Sequence, residues 1–328
     1  MAFPPCRRWS RRSLNGSNAI ILSQTNSPLS FAAAGKRAQG MFSLRQALIL
    51  GIFQGVSELF PISSLGHTVI LPALLGWTIN QDATYFLAFL VATHFATAAV
   101  LVFLYRDDWL RIIRGIMRSI WCGSLAQDPD AKLGWLLGVG TIPAGAFGLV
   151  FQNQLQRLFA SPVSVAGFLM LNGLLLYAAE LLRTSATSAA TYRDIRDADH
   201  RIAEEVSWRQ SASVGTMQIL ALLPGFSRTG STIAGGLIIG LVHEDALRFS
   251  FLLATPIIGA AAALKLPTLL AFRDTVAIEA ALLGAAGAAI ASYVSVMFLT
   301  KYFRTRNLTL FAAYCLLAGL LSYALLRR

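Results

Sequence analysis

An all-α polytopic membrane protein, with about six full transmembrane helices and two oppositely inserted re-entrant helical hairpins in an inverted repeat, is the fold class that this 328-residue sequence predicts. Three observations lead there. Hydrophobic residues make up 55% of the chain and charged ones 13%, with a mean hydropathy of +0.61, whereas soluble domains carry about 25% charged residues. Apolar runs of spanning length recur along the chain. Two segments, 46–67 and 211–232, interrupt that pattern with Gly, Pro, Ser and an ionisable group, and they resemble each other.

A helix needs roughly 20 residues to cross the hydrocarbon. Ala83–Tyr105, Gly134–Phe151, Leu158–Ala179, Ala280–Thr300 and Leu308–Leu326 each supply such a run. A sixth, Phe249 to about Phe272, is interrupted by Lys265 and Pro267, which places its far end at an interface. The basic residues lie between the runs: Arg106, Arg111, Arg114, Arg118 and Lys132; then Arg183, Arg193, Arg196, Arg201 and Arg209; then Lys301, Arg304 and Arg306. If each broken segment enters and leaves from one side, these three groups share a face, and the positive-inside tendency makes it cytoplasmic with both termini outside. This distribution accounts for the net charge of +11 without nucleic-acid binding. Trp109, Ile112, Ile113 and Ile116 share a helical face away from Arg111, Arg114 and Arg118, as in a short interfacial helix. Cys6, Cys122 and Cys315 have neither metal-ligand spacing nor an evident pairing.

Residues 1–40 are basic and contain no acid, the first being Glu58. A disordered tail, a processed targeting segment and an over-extended start ahead of Met41 all fit them. Residues 41–328 then form a single integral-membrane catalytic domain, with repeat 1 at about 42–182 and repeat 2 at about 208–328. QALILGIFQGVSELFPISSLGH and SASVGTMQILALLPGFSRTGST both run from small apolar residues through Gln54 or Gln218 to a proline and a Ser/Gly-rich break. Three spans between them reverse the second copy, giving an inverted arrangement in which broken helices meet near the midplane. Backbone freed at Pro61, Gly66, Pro224, Gly225 and Gly230 must be satisfied within the protein or by a ligand, which favours re-entrant hairpins over lipid-facing kinks.

Gln54 and Glu58 stand one helical turn apart and can offer a cation one neutral and one anionic oxygen. The Glu58 charge needs a counter-ion: Arg228, a divalent metal, or both. After Pro61 come Ser63, Ser64, Gly66 and His67, whose hydroxyls and backbone N–H groups suit an anion and whose imidazole can move a proton. In the second break Gly225 and Gly230 free the backbone, Ser227, Thr229, Ser231 and Thr232 offer hydroxyls, and Arg228 presents a planar fork matched to phosphate. The 233–241 run can be a helix whose N-terminus points at the same charge. The order of residues is not that of a P-loop. A purely structural Arg228–Glu58 pair that holds the repeats together is the alternative. His94, in mid-span, lines a cavity or makes a helix–helix hydrogen bond. Interface contacts account for Glu180 and Glu279, and a hydrated turn or helix cap for His243, Glu244 and Asp245.

These residues resemble the motifs of the undecaprenyl-diphosphatase family, the bacitracin-resistance type of membrane phosphatase. The pattern [Glu/Gln]-x-x-x-Glu is Gln54 to Glu58, Pro-x-Ser-Ser-x-Gly-His is Pro61 to His67, and Pro-Gly-x-Ser-Arg-Ser-Gly-x-Thr is Pro224 to Thr232. The resemblance covers about residues 42–328. Gln54 stands where many members have Glu, Leu65 where Thr is common and Thr229 where Ser is usual. The resemblance implies an inner-membrane enzyme open to the periplasm. Such an enzyme hydrolyses undecaprenyl diphosphate to undecaprenyl phosphate and orthophosphate, recycles the lipid carrier for peptidoglycan synthesis, contributes to bacitracin resistance and uses Mg2+ or Ca2+. On this reading Glu58 and Gln54 hold the metal and Arg228 stabilises the transferring phosphoryl group. His67 activates water or transfers a proton, and Ser64 is a hydrogen-bond donor or a covalent nucleophile. Ser63, Gly66, Gly225, Ser227, Thr229, Gly230 and Thr232 contact the substrate. The expected partners are undecaprenyl diphosphate and membrane lipid, with no nucleic acid; a homodimer is compatible. The rival reading is a secondary transporter or flippase for a prenyl-phosphate lipid or another anion, because inverted broken repeats suit alternating access.

Overall fold

Ser43 opens the first helix by reciprocal capping: its Oγ accepts the Gln46 N–H at 3.3 Å while Gln46 Oε1 accepts the Ser43 N–H at 2.7 Å. The helix, α1 (Leu44–Leu59), stops at Phe60, and after a short break α2 (Ser64–Leu74) begins. The computed structural model describes residues 43–79, 84–122, 128–157, 161–183, 198–271 and 274–327; residues 1–40 lie outside them. The chain continues through α3 (Thr84–Leu104), α4 (Arg106–Cys122), α5 (Pro129–Arg157), α6 (Pro162–Leu182), α7 (Ala198–Glu205) and α8 (Trp208–Met217). A 3-10 turn over Gln218–Leu222 and a second break lead to α9 (Arg228–Ile238), followed by α10 (His243–Ala271), α11 (Thr275–Tyr302) and α12 (Thr309–Leu326). Among the described residues there is no strand, only an isolated bridge between Pro224 and Phe226 inside the second break.

Among the described residues six helices, α3, α5, α6, α10, α11 and α12, are long and apolar enough to cross a membrane. Their limits differ from the apolar runs because caps, not hydropathy, decide where helices begin. Helix α5 starts at Pro129, where the missing N–H costs nothing, and Asp128 Oδ1 accepts the Ala131 N–H at 3.2 Å. Ser161 caps α6 by accepting the Ser164 N–H at 3.3 Å, again with proline in the first turn. Helix α10 starts at His243 and continues to Ala271, while its apolar, membrane-length part ends at Lys265, where the apolar run is interrupted. An interior proline removes one backbone hydrogen bond, which neighbouring turns and packing tolerate in a long membrane helix.

The helices are held by seams of small residues. Helix α1 lies along α11 with Gly51 facing Gly284 and Gly55 facing Ala288; a Cβ at either α1 glycine would come within 3.0 Å of the α11 backbone. Such close approach replaces the hydrophobic driving force that helices lack in lipid. Helix α12 packs on α6, and α8 on α5. Outward-facing Ile142, Leu149, Ile290 and Leu317 are each more than 60% exposed, which suits hydrocarbon and not water.

At one end, the amphipathic α4 buries Ile112, with Trp109 and Ile116 partly covered, whereas Ile113 is 49% exposed, so the buried face is narrower than the sequence pattern suggests. Arg111, with a partly exposed side chain, reaches Asp108 at 2.6 Å and Asp199 at 3.0 Å. Arg248 of α10 contacts the same two carboxylates at 2.8 and 2.6 Å, tying α4, α7 and α10 together. Of the hydrated turn and the helix cap expected at 243–245, the second is nearer: these residues open α10, with Glu244 and Asp245 in its first turn, and they also form an interhelical junction. His243 Nε2 is 2.7 Å from Glu180 Oε1 of α6, and Asp245, 2% exposed, takes Arg201 at 2.6 Å.

Candidate active site

The two breaks touch. Glu58 stands in the last turn of α1, and its carboxylate is 6% exposed. One oxygen, Oε1, accepts the Arg228 guanidinium from the first residue of α9; the other, Oε2, accepts the Ser64 hydroxyl from the first residue of α2. His94 of α3 brings Nε2 to 3.3 Å from Oε2. Its Nδ1 lies 2.7 Å from the Leu90 carbonyl, which can only accept, so Nδ1 carries a hydrogen. The Thr229 hydroxyl donates to the Glu58 backbone carbonyl at 3.0 Å. A buried carboxylate without such partners would cost several kcal/mol.

A second set of bonds fixes the breaks to each other. Asn172, fully buried in α6, donates from Nδ2 to the Pro61 carbonyl at 3.1 Å and accepts the Ser227 N–H on Oδ1 at 3.0 Å. The Ser227 hydroxyl donates to the Phe60 carbonyl at 3.2 Å and accepts the Gly230 N–H at 3.0 Å, capping α9. Ser63 carries φ = 71° and caps α2 through the Gly66 N–H at 3.2 Å. That conformation costs a residue with a Cβ about 1–3 kcal/mol and persists only where its surroundings enforce it. Gly225, at φ = 114°, meets α6 so closely that a Cβ would lie within 3.0 Å of the Val165 carbonyl and of Phe168.

A cavity of about 330 Å³ opens over this junction. Its polar end is formed by Ser57, Glu58, Ser64, His94, Gln218, Ser227 and Arg228, and its walls by residues such as Leu90, Val91, Ala144, Leu222, Ile257 and Ile258, with the exposed Lys265 at its margin. Of the residues expected from the sequence, Glu58, Ser64, Ser227 and Arg228 therefore line one space. His67 does not line it: Nδ1 is 2.6 Å from the Ser63 carbonyl and Nε2 2.8 Å from the Tyr314 hydroxyl. Ser63, Gly66, Gly225 and Gly230 shape the breaks, Thr229 holds the Glu58 backbone, and the Thr232 hydroxyl meets Ser250 of α10 at 2.5 Å.

The cation implied by the resemblance finds a poor donor set. Gln54 is fully buried between α1, α3 and α11. Its Oε1 accepts the Thr97 hydroxyl at 3.4 Å, and its Nε2, a donor, has no partner among the described residues. Both Glu58 oxygens are engaged by protein partners, so a cation held by Glu58 would have to displace Ser64, His94 or Arg228 from them.

Three participants carried weaker sequence signals. His94 was visible only as an ionisable group in mid-span, Asn172 as a lone amide in an apolar run, and Gln218 as the counterpart of Gln54. Gln218 faces the cavity, donating from Nε2 to the Gly140 carbonyl at 3.0 Å while its Oε1 has no partner.

The profile of the family described as bacitracin resistance protein BacA matches residues 47–321, which contain both breaks and every residue that lines the cavity. The chain belongs to this family. Among similar proteins is the undecaprenyl-diphosphatase of Mycolicibacterium paratuberculosis, 44% identical over 288 residues, covering 84% of this chain and 94% of that protein. Undecaprenyl-diphosphatase 2 of Chromobacterium violaceum is 44% identical over 279 residues, covering 84% and 95%. Undecaprenyl-diphosphatase 2 of Frankia alni is 39% identical over 329 residues, covering 84% and 96%. These relatives match over nearly their whole length, so the likeness extends well beyond the two motifs.

Proposed function

We propose that this chain hydrolyses undecaprenyl diphosphate to undecaprenyl phosphate and orthophosphate in a bacterial inner membrane, recycling the lipid carrier for peptidoglycan and conferring bacitracin resistance. The observation that carries this reading is the convergence of Arg228, Ser64 and His94 on Glu58 at the head of a largely apolar cavity. A prenyl diphosphate has the same division, with an anionic head and a hydrocarbon tail. The names of the relatives supply the substrate class.

In this reading the terminal phosphate displaces Glu58 from part of the Arg228 fork. Arg228 then stabilises the charge that builds on the phosphoryl oxygens, helped by the α9 N-terminus from which it springs. Glu58, already the acceptor of the Ser64 hydroxyl, takes the proton of the attacking oxygen, whether that is Ser64 Oγ or a water in its place. Ser227 contacts the phosphate and holds the backbone. The first isoprenes lie along Leu90, Val91, Ile257 and Ile258.

The two helix–break–helix segments act as re-entrant hairpins inserted from opposite faces, the halves of an inverted repeat, and the cavity opens to the periplasm. In support, three spanning helices separate the segments. The cluster of Arg111, Arg248 and their carboxylates also lies roughly 25 Å along α10 from Lys265 at the cavity margin, at 1.5 Å per residue. Detergent-solubilised protein supplied with a prenyl diphosphate should release orthophosphate, and Arg228→Ala and Glu58→Ala should each abolish release while inserting normally. Substrate binding without release in the wild type would refute hydrolysis and favour transport.

A further inference from the structure

The sequence motifs draw attention to His67, yet the imidazole that faces the cavity belongs to His94, outside both motifs. His94 is a lone ionisable side chain in the middle of α3, a position where burial in a spanning helix needs a reason. Both ring nitrogens are engaged, but on different groups: Nδ1–H donates to Leu90, one turn back, which fixes the ring's rotation, while Nε2 reaches the Glu58 carboxylate, a group that lines the cavity. The other edge is aimed out of the helix at the polar end of the cavity, 3.3 Å from Glu58 Oε2, and the side chain is 22% exposed. Ile257 and Ile258 of α10, which line the same cavity, are apolar.

We propose that His94 is a substrate-contacting catalytic residue whose Nε2 shares a hydrogen bond with an oxygen of the terminal phosphate, opposite the contact made by Arg228. Glu58 sits between the two and sets their spacing: Arg228 holds Oε1, His94 lies on Oε2, and the same carboxylate accepts the Ser64 hydroxyl. A phosphoryl group that enters this space replaces one carboxylate oxygen on each side by one of its own. The hydrogen of the new bond comes from either partner, so no bond is made or broken in binding. During phosphoryl transfer the contact restrains an equatorial oxygen, the type of fixed hydrogen bond whose removal typically costs 100- to 1,000-fold in turnover.

This inference rests on the phosphatase reading above, and its test separates the two. Purified wild type, His94→Ala and His94→Gln are compared for orthophosphate release from a prenyl diphosphate, for inhibition by inorganic phosphate and for thermal unfolding. His94→Ala should lower kcat/KM about 100-fold and weaken phosphate inhibition at least about 10-fold, whether or not the loss of its contact with Glu58 also lowers the unfolding midpoint. His94→Gln, which keeps a hydrogen-bonding group in place, should recover about a third or more of the lost activity on a logarithmic scale. A merely structural histidine would move the unfolding midpoint and leave phosphate inhibition alone. Turnover and phosphate inhibition of His94→Ala within about threefold of wild type would overturn the assignment. If the wild type is stabilised by the diphosphate but releases no phosphate, the phosphatase reading falls; loss of that stabilisation in His94→Ala still supports the contact.

Discussion

Replacing Asn172 by alanine should cost this protein most of its activity although Asn172 lies outside the cavity lining. The side chain is fully buried, and its amide satisfies two backbone groups, the Pro61 carbonyl at 3.1 Å and the Ser227 N–H at 3.0 Å. Alanine orphans the Ser227 N–H and leaves the Pro61 carbonyl only the 3.8 Å contact from Cys315 Sγ, at membrane depth, where each unsatisfied group costs about 1–3 kcal/mol, so at most about 2–6 kcal/mol in all. That energy weakens the clasp between the two breaks and therefore the alignment of Ser64 and Glu58 on one side with Arg228 on the other. If about 2.7 kcal/mol of it falls on the transition state, kcat/KM drops about 100-fold. The remainder appears as a lower unfolding midpoint. Phosphate release measured against prenyl diphosphate concentration, beside thermal unfolding in the same detergent, reads both shares. Asn172→Asp should fall between, since it keeps the acceptor for Ser227 but sets an oxygen against the Pro61 carbonyl. An alanine variant with both quantities unchanged would refute the clasp.

Other expectations follow from single contacts. Ser63→Gly relieves the positive φ and loses a cap worth only a few tenths of a kcal/mol against glycine, so it should be more stable than Ser63→Ala by about 1 kcal/mol; thermal unfolding compares them. Gly55→Val forces α1 from the α11 backbone and should destabilise by about 1–3 kcal/mol or more, whereas Gly138→Val, with open space around its Cα, should not. Glu58→Gln strips the buried Arg228 of its counter-charge at a cost of about 3–5 kcal/mol, and Glu58→Gln combined with Arg228→Gln should be less unstable than Glu58→Gln alone. Ser64→Ala distinguishes the two paths of attack. A phosphorylated Ser64 trapped by rapid acid quench in the wild type establishes the covalent path, and residual release by Ser64→Ala above about 10% of wild type excludes it.

The spans and the pairing of the two polar segments were legible because hydropathy and Pro/Gly/Ser punctuation are local signals. Helix ends were less so, since Asp128 and Ser161 start helices from outside the apolar runs. The Glu58–Arg228 pair could be proposed because each ion lacks a partner nearby in sequence. Which imidazole joins them could not. Proximity to Ser64 suggests His67, but one turn into α2 the ring meets the Ser63 carbonyl and Tyr314, from a helix almost at the end of the chain. His94 arrives through the packing of α3 on α1 and α11, which no spacing within the motifs encodes. Gln54 illustrates the same limit: helical periodicity places it on the Glu58 face, and a shift in rotation of part of a turn turns it to Thr97 instead of the cavity.

The separation of Glu58 and Arg228 also bears on how the protein is made. The pair is 170 residues apart, and at about 5–20 residues per second the second half follows the first by roughly ten seconds or more. Throughout that interval the first half holds a carboxylate at membrane depth with Ser64 and His94 as its companions and no arginine. Insertion thus yields an incomplete intermediate whose acidic group stays exposed until α9 arrives. A chain truncated before α9 would leave Glu58 at membrane depth without its arginine, a charge that is costly there unless paired.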